Sequence, residues 1–242
     1  TWTGDEMVRR TAAAAGVNYG TMNSSADSFS PGLTPVPALL DEAVRCQNAY
    51  DTPVPPGAVV AGNVETSQCI VDALYGALGL QAAAQGTMNN FTFGNESHQY
   101  YETICGGSGA GPDHDGTSAV QTHMTNSRLT DPEILETRLP VRLDEFSIRR
   151  GSGGAGQHRG GDGVVRRVTF LEAMRANILA NRRKIAPRGL HGGGDALPGK
   201  NWVDRADGRI EELGATGSAE MSPGDSFVIL TPGGGGFGGT HE

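Results

Sequence analysis

YYETICGGSGAGPDHDGTSAVQTHMTNSRLTDPEILE, residues 100–136, is the stretch from which the rest of the chain can be read. It begins as a strand, because Tyr100, Tyr101, Thr103 and Ile104 are aromatic or β-branched. It breaks at a glycine-rich loop, Gly106 to Gly111. His114 and Asp115 follow, then His123, Met124, Thr125 and Asn126. Thr130-Asp131-Pro132-Glu133 has the form of a helix start, with a cap, a proline and an acid at the positive end. Nowhere else do glycine, histidine, amide and carboxylate side chains stand so close in sequence. A loop that costs this much chain entropy is a candidate functional loop.

Upstream, Gln85 to Gly94 (QGTMNNFTFG) carries Asn89 and Asn90 before the alternating Phe91 and Phe93, as in a loop feeding a strand. Asparagine pairs near glycine either form turns or bind ligands. Before that, Thr66 or Ser67 can open a helix in which Ile70, Val71, Leu74, Leu78 and Leu80 recur at helical spacing, with Gly79 loosening its end. Asn63, Glu65, Thr66 and Ser67 then stand at the helix N-terminus. That is either ordinary capping or a place for an anion or a carbonyl oxygen. Further back, residues 1–20 and Ala38 to Ala49 pattern as helices around a Ser/Pro/Gly-rich loop at 21–36. Asp51 to Pro56 is proline-rich and is the candidate domain boundary.

Downstream, Val141 to Arg150 alternates as a strand and Gly151 to Gly163 reads as a glycine-rich turn. Val164 to Ala186 suits two or three strands, and Arg188 to Lys200 a loop. Trp202 to Arg209 and Ile210 to Leu213 form a hairpin about Ala206-Asp207-Gly208, and Asp225 to Thr231 a final strand closed by PGGGGFGG. From Gly151 onward 22 of 92 residues are glycine, with no G-X-Y period. Collagen is thereby excluded, and short strands joined by tight turns are expected. The fold class is α+β: an N-terminal helical segment, then a β-rich, glycine-loop-rich region with mixed or antiparallel sheets.

Length and charge narrow the function. A chain of 242 residues holds one large domain or two small ones. The net charge is −8, and Arg182-Arg183-Lys184 is the nearest approach to a basic run. Neither nucleic acid nor an anionic membrane is expected as partner. No apolar run approaches the ~20 residues of a membrane span. There is no signal-peptide pattern, and the first residue is not Met, so it is read as an internal position of a longer product. Cys46, Cys69 and Cys105 are widely spaced without a CxxC, as expected of reduced cytoplasmic thiols.

Several tempting motifs fail on their chemistry. Gly194 to Asn201 (GDALPGKN) nearly spells a phosphate-binding loop, but Asn201 stands where Ser or Thr must hold magnesium, and NWV follows as a strand. His114, Asp115 and His123 suggest a metal, but without tight ligand spacing or a fourth ligand. Cys105 lacks a base to activate it. The residues therefore describe a polar, glycine-lined site around 100–130 whose reaction does not follow from spacing.

GNVETSQ (62–68), MNNFTFGN (88–95), YYETICGGSGAGP (100–112), THMTNSRLTDPEILE (122–136), FSIRRGSGGAGQHRGGDGVVRR (146–167) and TPGGGGFG (231–238) resemble, in order and spacing, the C-terminal part of the hydantoinase B/5-oxoprolinase family. HMTNSRLTDPEILE and NWVDRADGRIEELGATGSAEMSPGD look most like bacterial 5-oxoprolinases. The resemblance divides the chain into a helical and loop segment, 1–54, and a hydantoinase B-like domain, 55–242. It implies a component of a cytoplasmic, oligomeric enzyme of glutathione metabolism, an ATP-dependent amidohydrolase that opens the lactam 5-oxoproline to glutamate. ATP and Mg are used by a hydantoinase A-like region or partner subunit, which phosphorylates the lactam oxygen. The isolated chain is then expected to be inactive. A divalent metal is also implied, but its ligand motif is not found in this chain. By the same resemblance Glu102 and His123 orient water or substrate. Asn63, Glu65, Thr66, Asn89, Asn90, Tyr100, Thr125 and Asn126 bind carbonyl or carboxylate oxygens. Two alternatives stay open: a subunit of an ATP-dependent ketone carboxylase, and a non-catalytic assembly subunit.

Overall fold

A computed structural model of the chain describes residues 62–240, apart from the side chains of residues 62–64 and 66. The expectations for 1–20, 21–36, 38–49 and the 51–56 break, the whole 1–54 segment and Cys46 lie outside the described residues. So do the side chains of Asn63 and Thr66.

Two antiparallel sheets hold the described residues together. β1 (Asn90–Gly94), β2 (Gln99–Thr103), β5 (Met174–Leu179) and β8 (Thr216–Met221) form one, in the order β2-β1-β5-β8. β3 (Val141–Ile148), β4 (Val164–Phe170), β6 (Lys200–Asp204), β7 (Ile210–Leu213) and β9 (Ser226–Leu230) form the other, in the order β3-β4-β9-β6-β7. Of the mixed or antiparallel sheets expected, both sheets of the described residues pair their strands antiparallel. The sheets meet through aromatic rings that alternate inward. Phe91 lies 4.8 Å from Phe227, and Phe93 lies edge-on to Phe170 at 5.2 Å. Val164, Val168, Ile178, Val203 and Ile229 complete the shared core. β9, central in its sheet, reads SFVIL because both its faces are covered.

Among the described residues two helices flank the sheets. α2 (Pro132–Arg138) starts as the sequence indicates: Asp131 accepts the backbone N–H of Glu133 at 3.0 Å, and Pro132 takes the first position. It buries Leu135 in the core. α1 (Gly62–Ala77) departs from its apolar pattern. Ile70, Val71 and Leu74 are half-buried, while Leu78 and Leu80, just past its end, are exposed. The buried face carries Glu65, Gln68, Cys69, Asp72 and Ala73 instead. These follow a helical stripe of their own, and it is a polar one.

Two further expectations are corrected. The glycine excess goes into close packing more than into turns. Segments 106–111, 151–163, 188–194 and 231–239 lie side by side, outside the strands. Gly161 N–H donates to Ser108 O at 2.9 Å, Gly234 N–H to Gly161 O at 2.8 Å, and Gly235 N–H to Ala83 O at 2.8 Å. A Cβ on Gly160 would overlap the carbonyl oxygen of Gly234. The glycine loop at 106–111 is therefore interior scaffold, and only its Ser108 reaches a cleft. Arg182-Arg183-Lys184 is not a strand but a bend after β5. Arg182 is buried, and Arg183 turns inward to Asn89 and Asn201.

Candidate active site

The polar face of α1 organises the residues on which function can rest. Glu65, Gln68 and Asp72 recur at i, i+3 and i+7, so they project from one side of the helix. Each engages a different loop.

Gln68 clamps the HMTN segment. Its Nε2 donates to the Thr122 carbonyl at 3.0 Å and to Thr125 Oγ1 at 2.9 Å. Its Oε1 accepts from Thr122 Oγ1 at 2.9 Å. With Gln68 fully buried, all three bonds are shielded from water and hold the loop in one shape.

Asp72 holds His123. Nε2 of His123 lies 2.7 Å from Asp72 Oδ1, with the side chains only 8% and 4% exposed. The same oxygen accepts the Ala84 N–H at 2.9 Å, and Arg182 Nη2 stands 3.6 Å from the other. The Tyr75 ring meets the imidazole nearly edge-on, centroids 5.8 Å apart. His123 has φ +54, a left-handed conformation that a non-glycine residue keeps only where its surroundings enforce it.

Glu65 ties α1 to β1. It accepts from Met88 N–H at 2.9 Å, Asn90 Nδ2 at 2.8 Å and Asn181 Nδ2 at 3.1 Å. Burial pushes its carboxyl up from 4.5 to about 6, against the pull of these donors and of Arg183. Asn89, also left-handed at φ +46, donates to Gln85 Oε1 and Ile104 O and accepts from Arg183 at 2.8 Å. Asn90 donates to Leu179 O as well, and accepts from Tyr101 Oη at 2.8 Å. Glu65, Asn89 and Asn90 thus come together as one buried network among protein partners. A helix N-terminus open to an anion is not what Glu65 provides.

Tyr100 and Glu102 form a second cluster. Arg166 donates Nε to Glu102 Oε1 at 2.6 Å and Nη2 to Oε2 at 2.8 Å, and Tyr100 Oη donates to Oε2 at 2.9 Å. Both carboxylate oxygens of Glu102 are occupied, and its side chain is 3% exposed. Burial and the Glu102 charge raise the Tyr100 phenol above its ordinary value.

Two adjoining clefts open along residues 105–129, sharing Val120 and Gln121 as a common wall. One, of about 230 Å³, is lined by Gln81, Ser108, Thr117, Gln121, Thr122 and His123. The other, of about 480 Å³, is lined by Cys105, Gln121, Thr125, Asn126, Arg128 and Phe146, among others. Of the sequence-derived candidates, His123, Thr125 and Asn126 line these two clefts, and Tyr100 lines a separate one of about 510 Å³ with Thr92, Gln99, Arg175 and Asn177. Burial raises the Cys105 thiol, which suits a packing residue and not a nucleophile.

The histidines and acids of the stretch do not converge. His114 pairs with exposed Asp113 at 2.9 Å, Asp115 lies 3.5 Å from His158, and His123 belongs to Asp72. Among the described residues no three His, Cys, Asp or Glu side chains group as a metal site requires. The described residues thus do not fit the divalent metal implied above. Lys200 opens β6 and not a helix, so 194–201 is no phosphate loop. Among the described residues no helix is long and apolar enough to cross a membrane.

Sequence reasoning passed over Gln68, Asp72 and Arg166. The signal for the first two was present. Glu65, Gln68 and Asp72 make a polar stripe at helical spacing, and the eye goes to the apolar one beside it. Arg166 sits in an alternating strand at an inward position, where a cation requires a buried anion.

The family described as hydantoinase B/oxoprolinase matches residues 45–240. The 5-oxoprolinase of Dictyostelium discoideum is 50% identical over 196 residues, which cover 77% of this chain and 16% of that protein. The chain thus spans about a sixth of that relative's length. Two solved structures share the fold at a TM-score of 0.56. They are nucleotide-free acetone carboxylase (19% identical, 65% of this chain and 26% of that one) and the ATP-dependent caprolactamase of Pseudomonas jessenii (20% identical, 78% and 36%). The chain belongs to the hydantoinase B/oxoprolinase family.

Proposed function

We propose that the chain is a component of an ATP-dependent amidohydrolase that opens the lactam of 5-oxoproline to glutamate. The ATP-using half comes from a hydantoinase A-like region or subunit. A bacterial source, a C-terminal place in the longer product, a cytoplasmic setting and an oligomeric assembly belong to the same reading. The 50% identity to a 5-oxoprolinase carries it.

The site chemistry supports it. An amide is a poor electrophile, and phosphorylation of its oxygen in the ATP-using half makes an activated carbon that water can attack. His123 lines a cleft with one ring nitrogen anchored, as a general base requires. Ser108, Thr117, Thr125 and Asn126 offer neutral donors for carbonyl and carboxylate oxygens and for charge that develops as water adds. Arg128, in the wider cleft, suits the substrate carboxylate. In this reading Glu102, Glu65, Asn89, Asn90 and Tyr100 act at one remove, by holding the strands and loops behind the clefts.

The test is reconstitution with the ATP-using partner. Phosphate release that depends on oxoproline, with glutamate formed in step, is the expected result. His123→Ala is expected to lower glutamate formation by about 10²-fold or more in a folded assembly. Bicarbonate-dependent turnover of a ketone would instead establish the carboxylase alternative. A partner fully active without this chain would establish an assembly role.

A further inference from the structure

We propose that Asp72 is the positioning residue of His123, setting the imidazole so that Nδ1 receives the proton of the attacking water. The proposal rests on the lactam-hydrolase reading above.

The Asp72 carboxylate is an acceptor 2.7 Å from His123 Nε2, so a neutral imidazole held by it carries its proton on Nε2 and its lone pair on Nδ1. The hydrogen bond of the His123 ring among the described residues is through Nε2, which leaves Nδ1 unengaged, and the ring lines the narrower cleft beside Ser108, Thr117 and Gln121. Asp72 is itself fixed. The Ala84 N–H holds one carboxylate oxygen, and the Arg182 guanidinium faces the other. His123 keeps φ +54, in the left-handed region, within this anchored segment. Gln68, one turn earlier on the same helix face, holds the residues either side of His123. α1 thus positions the base through two side chains, and a third, Glu65, fixes the helix to β1.

The chemistry balances on these groups. The water oxygen bonds to the ring carbon bearing the phosphorylated oxygen, while one water proton passes to Nδ1. The imidazolium is stabilised by the Asp72 carboxylate. Nδ1 returns that proton to the ring nitrogen. The second water proton follows it as the C–N bond breaks, leaving an acyl phosphate and a free amine. A second water converts the acyl phosphate to the carboxylate and inorganic phosphate.

Asp72→Asn is the test in the reconstituted assembly. The amide can still accept from Ala84 but presents no charge to the imidazole. Expected is a fall in kcat of about 10²–10⁴-fold, with KM changed less than about threefold and the histidine-dependent acid limb of the pH–rate profile displaced. Asp72→Asn should add little to the loss in His123→Ala, because the two act as a unit. A folded Asp72→Asn variant with wild-type kcat and pH profile, or additive losses, overturns the proposal. Ring-nitrogen NMR of the unmodified protein decides it without a variant: the Nε2–H form is expected, and the Nδ1–H form overturns it. If the wild-type assembly turns over no oxoproline, the lactam reading fails, whereas the tautomer still tests the role of Asp72.

Discussion

Arg166 and Glu102 meet through two hydrogen bonds, of 2.6 and 2.8 Å, that tie β4 of one sheet to β2 of the other. Both side chains are almost fully buried, and Phe146 lies against the guanidinium at 5.3 Å. A bidentate pair of this kind specifies how the sheets sit on one another. Removing one partner strands the other's charge. Glu102→Leu is expected to lower stability by about 3–5 kcal/mol, and Arg166→Met added to it to recover most of that loss. Chemical denaturation of the single and double variants reads this directly. Lost activity at Glu102 with full stability would put the carboxylate in the reaction instead.

Glu65 gives a pH signature of opposite sign to that of an ion-paired carboxylate. Its carboxyl titrates near 4.5 when unfolded and at about 6 when folded, chiefly because it is buried. Between those values the folded state binds more protons, so stability falls as pH rises from 4.5 to 6, by about 2 kcal/mol, and this contribution is fully present below 4.5. Glu65→Gln removes the ionisation. Urea midpoints across that range should slope downward in the parent protein and flatten at this contribution in the variant.

The Gln68 clamp predicts a separation of local from global effects. Gln68→Ala deletes three buried hydrogen bonds and leaves the Thr122 carbonyl and Thr125 hydroxyl without their donor. About 1–3 kcal/mol of stability should go. Amide hydrogen exchange should rise in 122–126 well before it rises in β4 or β9. Turnover in the reconstituted assembly should drop further than the stability loss explains, because His123 lies inside the released segment.

Much of the scaffold was legible from local chemistry. Phe91 and Phe93 alternate and do face the core; Asp131 and Pro132 do start a helix; Ala206-Asp207-Gly208 does turn between β6 and β7, with Gly208 at φ +87. β8 was not legible, because TGSAEM has no aromatic residue and Thr216 alone is β-branched, and its strand state comes from full pairing with β5. The inward face of α1 was misjudged for a related reason. Apolar periodicity marks a buried face only where the neighbours are apolar, and here the neighbours are loops whose backbone N–H and C=O groups need partners. His114, Asp115 and His123 are close in sequence and apart in space. His123 finds its acid in Asp72 on α1, a long-range pairing that no spacing within 100–136 could show.

The glycine segments make the sharpest contrast between two substitutions of the same kind. Gly160 stands against the carbonyl of Gly234 with no room for a Cβ, and the obstacle is backbone that cannot swing aside. Gly151, at φ +82, has nothing within reach, so alanine there meets only its own conformational strain, about 1–2 kcal/mol. Gly151→Ala should therefore fold and lose only a few degrees of Tm. Gly160→Ala should force the 151–163 and 231–239 segments apart, lose several times as much stability, and expose the backbone N–H groups of Gly234 and Gly161 to rapid hydrogen exchange. Equal losses at the two positions would mean that these segments are not packed backbone to backbone.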